Sequence, residues 1–186
     1  MNFSYPFYFL RHGETVWNKA RKTQGQLDSQ LNDTGREQAR LAAQILKNEP
    51  IERIVSSPLT RVRDTAAAVA EFHDVEIIYD DDLKECHLGD MQGQPHGDWL
   101  PAYWEHAFDP PNGETFRQFS NRVWDAMARA VGRGPNTLIV AHGGLWRAAH
   151  EFTNIEPPLI PMANAQPIHV MPGTDGWSAK LLEING

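Results

Sequence analysis

A short apolar run near the start of the chain ends abruptly in a group of charged and polar side chains. Residues 5–10 form a β-rich apolar run that is typical of a buried strand, and Arg11, His12 and Gly13 follow it directly. Burying an arginine and a histidine at a strand end costs free energy unless an anion pairs with them. In open α/β sheets the ligand crevice lies just beyond the carboxyl ends of the strands. The triplet therefore indicates an anion site with a candidate nucleophile, although taken alone it fits a solvated strand-to-helix turn equally well.

Length and charge narrow the classes of protein to which this chain can belong. Its 186 residues predict one domain over 1–186, and a net charge of −7 argues against binding to nucleic acid or to an anionic membrane. A site for an anionic substrate must then be a local positive region on an acidic body. The lone cysteine, Cys86, fits a reducing compartment and is interpreted as a packing residue. With no signal-peptide pattern and no membrane-length apolar run, we expect a cytoplasmic protein.

Apolar runs rich in β-forming residues alternate with amphipathic stretches along the chain. The predicted strands cover residues 5–10, 53–56, 75–79, 137–141, 167–171 and 178–184. This alternation predicts an α/β fold in which helices cover both faces of a mostly parallel sheet, a three-layer αβα sandwich. The segment that joins the last two strands is too short for a helical crossover, so these strands should pair antiparallel at one edge.

Capping signals place four helices between these strands. Two of the signals have capping-box spacing, one is a Ser-Pro pair that suits an N-cap and first helical residue, and one is a Gly-Gly pair. The helices are predicted to begin near Thr34, at the Ser57–Pro58 pair, at Thr115 and after the Gly143–Gly144 pair.

Residues 86–113 have no sustained period beyond a short predicted helix near 98–107. A segment of this length and irregularity inside a compact domain is usually a binding loop or lid. Its aromatic side chains Trp99, Tyr103 and Trp104 are candidates for contact with the variable part of a substrate. The alternative is that they fix the loop to the core.

Two further predicted strands lead to groups of the same chemistry. The strand at 53–56 precedes Arg61, in the first turn of the next helix, and the strand at 137–141 precedes His142. The carboxyl ends of parallel strands meet at one edge of a sheet, so these side chains should converge with Arg11 and His12. An arginine fork binds two phosphate oxygens at once and stays charged at any working pH. Each residue alone has a structural explanation, but the set predicts a pocket for a tetrahedral dianion.

Several segments, in order along nearly the whole chain, resemble the histidine phosphatase superfamily, in the branch of cofactor-dependent phosphoglycerate mutases and small phosphatases. The matching segments are residues 10–18, 24–28, 31–35, 56–66, 83–85 with Gly89, 113–115 and 141–144. The resemblance implies a phosphoglycerate mutase-like fold. It also implies that the enzyme is a phosphatase acting on a small phosphorylated substrate.

The resemblance further implies roles for individual residues. His12 becomes the nucleophile that takes the phosphoryl group, and Glu85 becomes the proton donor to the leaving oxygen. The residues implied to bind the substrate's phosphate are Arg11, Asn18, Arg61 and His142, with Gln24 as a further candidate for substrate specificity. Fixed cations and hydrogen-bond donors neutralise the dianion, so we expect neither a metal nor a cofactor.

Other functions remain open at this point. Hydrolysis is favoured over mutase transfer because the chain ends at Gly186, directly after a predicted strand, and leaves no tail over the site. A non-catalytic module that binds phosphorylated ligands is a second alternative, but such a module would be expected to lack His12 or Glu85. A metallohydrolase is a third, although the spacing of the loop histidines fits no common ligand pattern; these are His87, His96 and His106.

The substrate subgroup is the least constrained part of the prediction. Residues 83–90 weakly resemble α-ribazole phosphatases, whereas residues 89–93 depart from a pattern that is frequent in the family. The physiological substrate is therefore left open, as is the formation of a homodimer.

Overall fold

The computed structural model describes residues 3–153, 155–156, 162–173 and 176–183. Its described strands form one seven-stranded sheet with the order β3-β2-β4-β1-β6-β7-β5. The strands are β1 (Phe7–Arg11), β2 (Arg53–Ser56), β3 (Ile77–Tyr79), β4 (Thr137–Ala141), β5 (Ile155–Glu156), β6 (Pro167–Gly173) and β7 (Gly176–Leu181).

Helices pack on both faces of this sheet. They are α1 (Val16–Lys19), α2 (Asp33–Leu46), α3 (Thr60–Ala70), α4 (Trp99–Trp104), α5 (Phe116–Val131) and α6 (Gly143–Ala149), with 3₁₀ turns at Asp81–Leu83 and Gly89–Met91. Within the described ranges, no helix combines the length and the apolar character needed to cross a membrane.

Alternation along β1 divides the core into two parts. Phe7 and Phe9 pack in one cluster with residues of α5 and α6, whereas Tyr8 and Leu10 pack in a second cluster with residues of α2 and α3. Successive side chains of a strand point to opposite faces, so a strand buried on both sides must be apolar throughout. The predicted three-layer αβα sandwich is confirmed.

The register of the parallel strands brings their carboxyl ends to one level. β4 lies between β1 and β2 and runs parallel to both. Arg11, the last residue of β1, is opposite Ala141, the last residue of β4, and Ser56 of β2 is opposite Val140. The groups that follow each strand therefore begin at the same edge of the sheet, as the sequence predicts.

The other side of the sheet contains its antiparallel part. β6 pairs antiparallel with β1 and also with β7, which confirms the antiparallel pairing of the last two predicted strands. β5 pairs parallel with β7 and extends the sheet by one strand that the sequence patterns do not indicate. Two residues are too few for a period to be detected. The predicted strand end at residue 184 and the chain end at Gly186 lie outside the described residues.

Two of the predicted helices, α2 and α3, are present, but the capping residues predicted for them are wrong by two residues each. α2 begins at Asp33 and is capped by Asn32, whose side chain accepts a hydrogen bond from the Gly35 backbone N–H; Thr34 lies inside the helix. α3 begins at Thr60 rather than directly after Ser57. Its N-terminus is capped from a distant loop, because the Asp28 carboxylate accepts from the Thr60 backbone N–H at 3.0 Å and from its hydroxyl at 2.5 Å. A partner 32 residues away leaves no local sequence signal.

The start of α5 is confirmed, since Thr115 forms a reciprocal capping box with Gln118. α6 begins at Gly143, so the two glycines that are predicted to precede this helix lie in its first turn. The short helix predicted near 98–107 is α4.

A close backbone contact fixes the start of α2 against the turn that follows β1. A Cβ atom on Gly13 would lie 2.3 Å from the carbonyl oxygen of Gly35, and a Cβ on Gly35 would lie 2.0 Å from the carbonyl oxygen of Glu14. Neither position can hold a larger residue without displacing backbone. The turn that contains His12 is thereby held against α2.

Gly35→Ala tests this contact. Helix propensity alone predicts that alanine stabilises α2 by about 1 kcal/mol, because Gly35 is within the helix. We expect the opposite sign, a loss of about 1–3 kcal/mol, because the methyl group overlaps backbone atoms. Urea unfolding of the wild type and the variant measures the difference.

Gly173→Ala is the matched control, since the nearest atoms to its added Cβ are 3.5 Å away. It should change stability by no more than about 0.5 kcal/mol. A Gly35→Ala protein at least as stable as the wild type would contradict the close contact.

Candidate active site

His12 lies just beyond the end of β1 and is 3% exposed. Its Nδ1 is 2.7 Å from the carbonyl oxygen of Gly13, which can only accept, so Nδ1 carries the proton and Nε2 is left with a free lone pair. The His12 carbonyl accepts from the Asn164 side-chain amide at 3.0 Å and from the Ala165 N–H at 3.3 Å. These contacts fix the position of the ring and its tautomer.

The surroundings of His12 keep its ring neutral. Burial lowers the pKa of His12 well below its ordinary value, and the charges of Arg61 and Arg11 lower it further, against the hydrogen bond to Gly13. A neutral imidazole with a free Nε2 is a competent nucleophile.

Arg61, on the first turn of α3, is 1% exposed. Its Nη1 donates to the carbonyl of Leu27 at 3.0 Å and its Nη2 donates to the carbonyl of Gly25 at 2.8 Å. Burial lowers the pKa of Arg61 to about 10, so the group remains a cation at neutral pH. Its Nε is buried and has no hydrogen-bond partner in the described part of the chain.

Arg11 resembles Arg61 in how it is held. Its Nη1 donates to the carbonyl of Met162 at 2.6 Å, and its buried Nε has no partner among the described residues. Burial lowers the pKa of Arg11, and the charge of Glu85 opposes that shift. Two guanidinium groups thus approach one position while bonded mainly to neutral carbonyls.

His142 is fully buried directly after β4, and its ring centroid is 5.3 Å from that of His12. Its Nε2 is 3.0 Å from the hydroxyl oxygen of Ser57, and its buried Nδ1 has no described partner. If the Ser57 hydroxyl donates to Nε2, then Nδ1 carries the proton and can donate to an anion. Burial lowers the pKa of His142 well below its ordinary value, and nearby positive charges, of which Arg61 has the largest effect, lower it further.

Glu85 reaches the site from the loop that follows β3. One carboxylate oxygen accepts from the Cys86 backbone N–H at 3.0 Å, and the other accepts from the Gly144 N–H at 3.1 Å. A Cβ on Gly144 would lie 2.2 Å from the Glu85 carboxylate, so the glycine leaves room for it. The acid is therefore positioned by backbone amides.

Most of these groups line one cavity of about 290 Å³, namely Arg11, His12, Asn18, Arg61 and Glu85. His142 is not among the lining residues, but its ring is next to that of His12. The Asn18 side-chain oxygen accepts from the Thr15 backbone N–H, which leaves its NH₂ group as a donor. The structure thus brings together all the residues that the sequence predicts for phosphate binding and proton transfer.

The predicted specificity residues are divided between cavity and core. Gln24 and Trp104 line the cavity, and Gln24 is also held by the hydroxyls of Thr15 and Ser29. Tyr103 is fully buried in the core, and Trp99 packs against Phe108; neither is among the lining residues. For these two residues the structure supports the alternative in which they fix the loop to the core.

The loop histidines and Cys86 do not form a metal site. Nowhere in the described ranges are three or more His, Cys, Asp or Glu side chains grouped so that they could hold a metal ion. Cys86 is buried in the core. Burial raises the pKa of its thiol, and the charge of Glu85 adds to this effect. A thiol kept protonated in this way is a poor nucleophile, in line with a packing role.

Several residues of the site were not identified from the sequence. Ser57 is expected to cap α3, yet its hydroxyl contacts His142. Asn164 and the carbonyl of Met162, from a distant segment, hold the backbone of His12 and the side chain of Arg11. Backbone carbonyls have no sequence signature, so only the folded chain could show these contacts.

The family model for the histidine phosphatase superfamily, branch 1, matches residues 7–185. The uncharacterized phosphatase PhoE of Bacillus subtilis is 34% identical over 181 residues, 95% of this chain and 93% of its own. The metal-independent phosphoserine phosphatase of Arabidopsis thaliana is 36% identical over 155 residues, 76% of this chain and 65% of its own. This chain therefore belongs to the histidine phosphatase superfamily, branch 1, and is an enzyme of its phosphatase class.

Solved structures agree with this assignment. A mycobacterial glucosyl-3-phosphoglycerate phosphatase in complex with VO₃ superposes with a TM-score of 0.80 at 29% identity, over 98% of this chain and all of that chain. Structures of α-ribazole phosphatases, at 22–23% identity, share the fold and show no more than that. Relatives named as phosphoglycerate mutases or mutase-like proteins also match.

The burial of neutral histidines makes stability depend on pH. His142 has a pKa in the folded state below its unfolded value of about 6.5, so below that pH the unfolded chain binds more protons and stability falls as the pH falls. In buffer without phosphate or sulfate, His142→Gln should lessen this dependence by up to about 1.4 kcal/mol per pH unit. Urea unfolding between pH 5 and 7 measures both slopes. Equal slopes would show that His142 binds protons equally in the folded and unfolded chain, which contradicts a lowered pKa in the folded state.

Proposed function

We propose that this protein hydrolyses phosphomonoesters of small metabolites through a phosphohistidine on His12, without a metal. One observation carries the proposal. Three buried nitrogens, on Arg11, Arg61 and His142, lack partners among the described residues, and these side chains are close to a neutral imidazole with a free Nε2, that of His12. Buried donors are normally paired, so donors that converge without partners call for an anionic acceptor. A phosphate dianion beside His12 satisfies all three and presents its phosphorus to Nε2.

The first chemical step transfers the phosphoryl group. The Nε2 lone pair of His12 forms a bond to phosphorus while the bond from phosphorus to the ester oxygen breaks. Glu85 donates a proton to that oxygen, which leaves as an alcohol. Arg11 and Arg61 stabilise the charge on the non-bridging oxygens, the role that metals fill in many other phosphoryl-transfer sites.

The second step returns the enzyme to its starting state. Glu85, now a carboxylate, takes a proton from water, and the water oxygen bonds to phosphorus as the bond from phosphorus to Nε2 breaks. Inorganic phosphate leaves and His12 is neutral again. Water can reach the group because Lys22 and His96, which line the cavity, are exposed. This access favours hydrolysis over mutase transfer, which requires a shielded phosphohistidine.

The size of the cavity supports a small substrate. A volume of about 290 Å³ is at the lower end of the range for small-molecule sites, roughly 300–1,000 Å³. Two relatives are named for phosphoserine and glucosyl-3-phosphoglycerate, both small phosphorylated metabolites. We propose that this chain acts as one domain, in the cytoplasm, on a substrate of that size. The net charge of −7 argues against a nucleic-acid partner.

Trapping the intermediate tests the function. Protein incubated with a ³²P-labelled phosphomonoester in excess EDTA and quenched in alkali should carry an acid-labile label, and His12→Gln should abolish both label and turnover. The label should move to inorganic phosphate. Turnover that EDTA abolishes and zinc or magnesium restores would contradict the metal-independent mechanism. Transfer of the label to an added alcohol acceptor in place of water would identify a mutase.

Glu85→Gln tests the assignment of the acid. Loss of a general acid costs about 10²–10⁴-fold in rate, most for poor leaving groups. We therefore expect kcat/KM, which reports the first step alone, to fall far more on an alkyl phosphate than on 4-nitrophenyl phosphate, while phosphate still competes for the site. Glu105→Gln, which neutralises an exposed carboxylate of the same loop, is the control and should affect neither substrate. Equal losses on both substrates would remove Glu85 from this role.

A further inference from the structure

The cavity contains more positive charge than a phosphate group needs. Four cationic side chains and one carboxylate line it, namely Arg11, Lys22, Arg61, Arg147 and Glu85. A bound phosphate dianion beside Arg11 and Arg61 leaves at least one positive charge unmatched. The net charge of −7 means that carboxylates outnumber cationic side chains in this chain, so partners for these cations are available. Even so, neither Lys22 nor Arg147 forms an ion pair with any described residue.

Arg147 is held in place by packing. Its guanidinium lies 5.4 Å from the centre of the Trp104 ring, a cation–π contact. Trp104 packs in turn edge-on against Phe116, with ring centroids 5.4 Å apart, and against Tyr103 at 4.9 Å. Because the cation is held against a fixed aromatic ring, less side-chain entropy is lost when a ligand binds to Arg147.

The position of Arg147 sets its distance from the phosphate site. Gly143, Gly144 and Arg147 all line the cavity from α6. Residues three and four apart share a helix face, so Arg147 lies about one helical turn, ~5 Å, beyond the glycines that border Arg11 and Glu85.

Lys22 lies at the mouth of the same cavity, and its backbone is also fixed. Lys22 forms a β-bridge with Pro95, and on either side of it the Thr23 N–H donates to Gln94 and the His96 N–H donates to Arg21. Lys22 is exposed whereas Arg147 is half-buried, so Arg147 should contribute more to binding.

We infer that Arg147 and Lys22 form an outer anion subsite, and that the substrate is a small phosphomonoester with a carboxylate about one helical turn from its phosphate. This inference rests on the proposed function and adds the class of substrate. A carboxylate matches the planar fork of Arg147 and fits a cavity of about 290 Å³ more easily than a second phosphate. Leu88, Leu100 and Met162 supply the apolar wall for the short carbon body between the two acids.

Matched pairs of phosphomonoesters test the subsite. 3-Phosphoglycerate differs from glycerol 3-phosphate by a carboxylate in place of a hydroxymethyl group, and phosphoserine differs from phosphoethanolamine by an added carboxylate. The measured quantity is the acid preference, the ratio of kcat/KM within each pair. Dividing within a pair removes any common effect of a substitution on folding or on phosphate binding.

The wild type should prefer the acid by about tenfold, a typical gain for one partly buried charge pair. Arg147→Gln should lower the preference about fivefold, mainly through KM, and Lys22→Gln about twofold. Added salt should weaken the preference. Lys19→Gln removes a nearby exposed cation that does not line the cavity, and it should keep the wild-type ratio.

An acid preference near one in the wild type, or one that Arg147→Gln leaves unchanged, would overturn the subsite. His12-dependent hydrolysis of 4-nitrophenyl phosphate, measured in parallel, reports on the proposed function separately. If the paired esters are not hydrolysed, the ratio of their dissociation constants, measured by calorimetry on Glu85→Gln protein, gives the same comparison and is judged by the same criterion.

Discussion

The burial of the Arg61 guanidinium is the interaction on which the rest of the site depends. Burying a cation is costly unless its hydrogen-bonding groups are satisfied, and here two backbone carbonyls, of Gly25 and Leu27, supply that satisfaction. Those carbonyls are correctly placed because Asp28 fixes the same loop to the start of α3. Gly25 itself has a φ of +53°, and a Cβ there would lie 2.4 Å from Gln92. The loop is thus shaped around one cation.

The remaining chemistry follows from that buried charge. Burial is the main reason why the pKa of His12 is low, and the positive charges of Arg61 and Arg11, which are held mainly by neutral carbonyls, lower it further, so the imidazole stays unprotonated. Glu85, which could otherwise neutralise an arginine, is bound by two backbone amides. The proposed nucleophile, the cations and the proposed acid therefore stay chemically distinct within one small space. This separation is what a reaction that needs all three requires.

The sequence predicts those parts of the fold whose cause is local. Three such features can be recognised in the sequence: the continuous apolar character of β1, the Thr115 capping box and the polar residues after each parallel strand. The last of these predicts the main residues of the site. The sequence does not predict contacts that depend on a distant group. Ser57 is a residue type that often caps helices, but its hydroxyl contacts His142. The residue that caps α3 is instead Asp28, 32 residues away. The local sequence allows Tyr103 to contact either a substrate or the core, and in the structure it packs against Phe116 in the core.

The position of β1 has a consequence for how the protein is made. β1, which leads into the proposed nucleophile, ends at residue 11, yet its two neighbours in the sheet, β4 and β6, begin at residues 137 and 167. At roughly 5–20 residues per second, β1 waits several seconds or more on the ribosome before either neighbour exists. During that time its apolar residues have no native pairing. β1 is thus an apolar segment of the nascent chain that needs protection, and the candidate active site is complete only after its neighbours in the sheet have been synthesised.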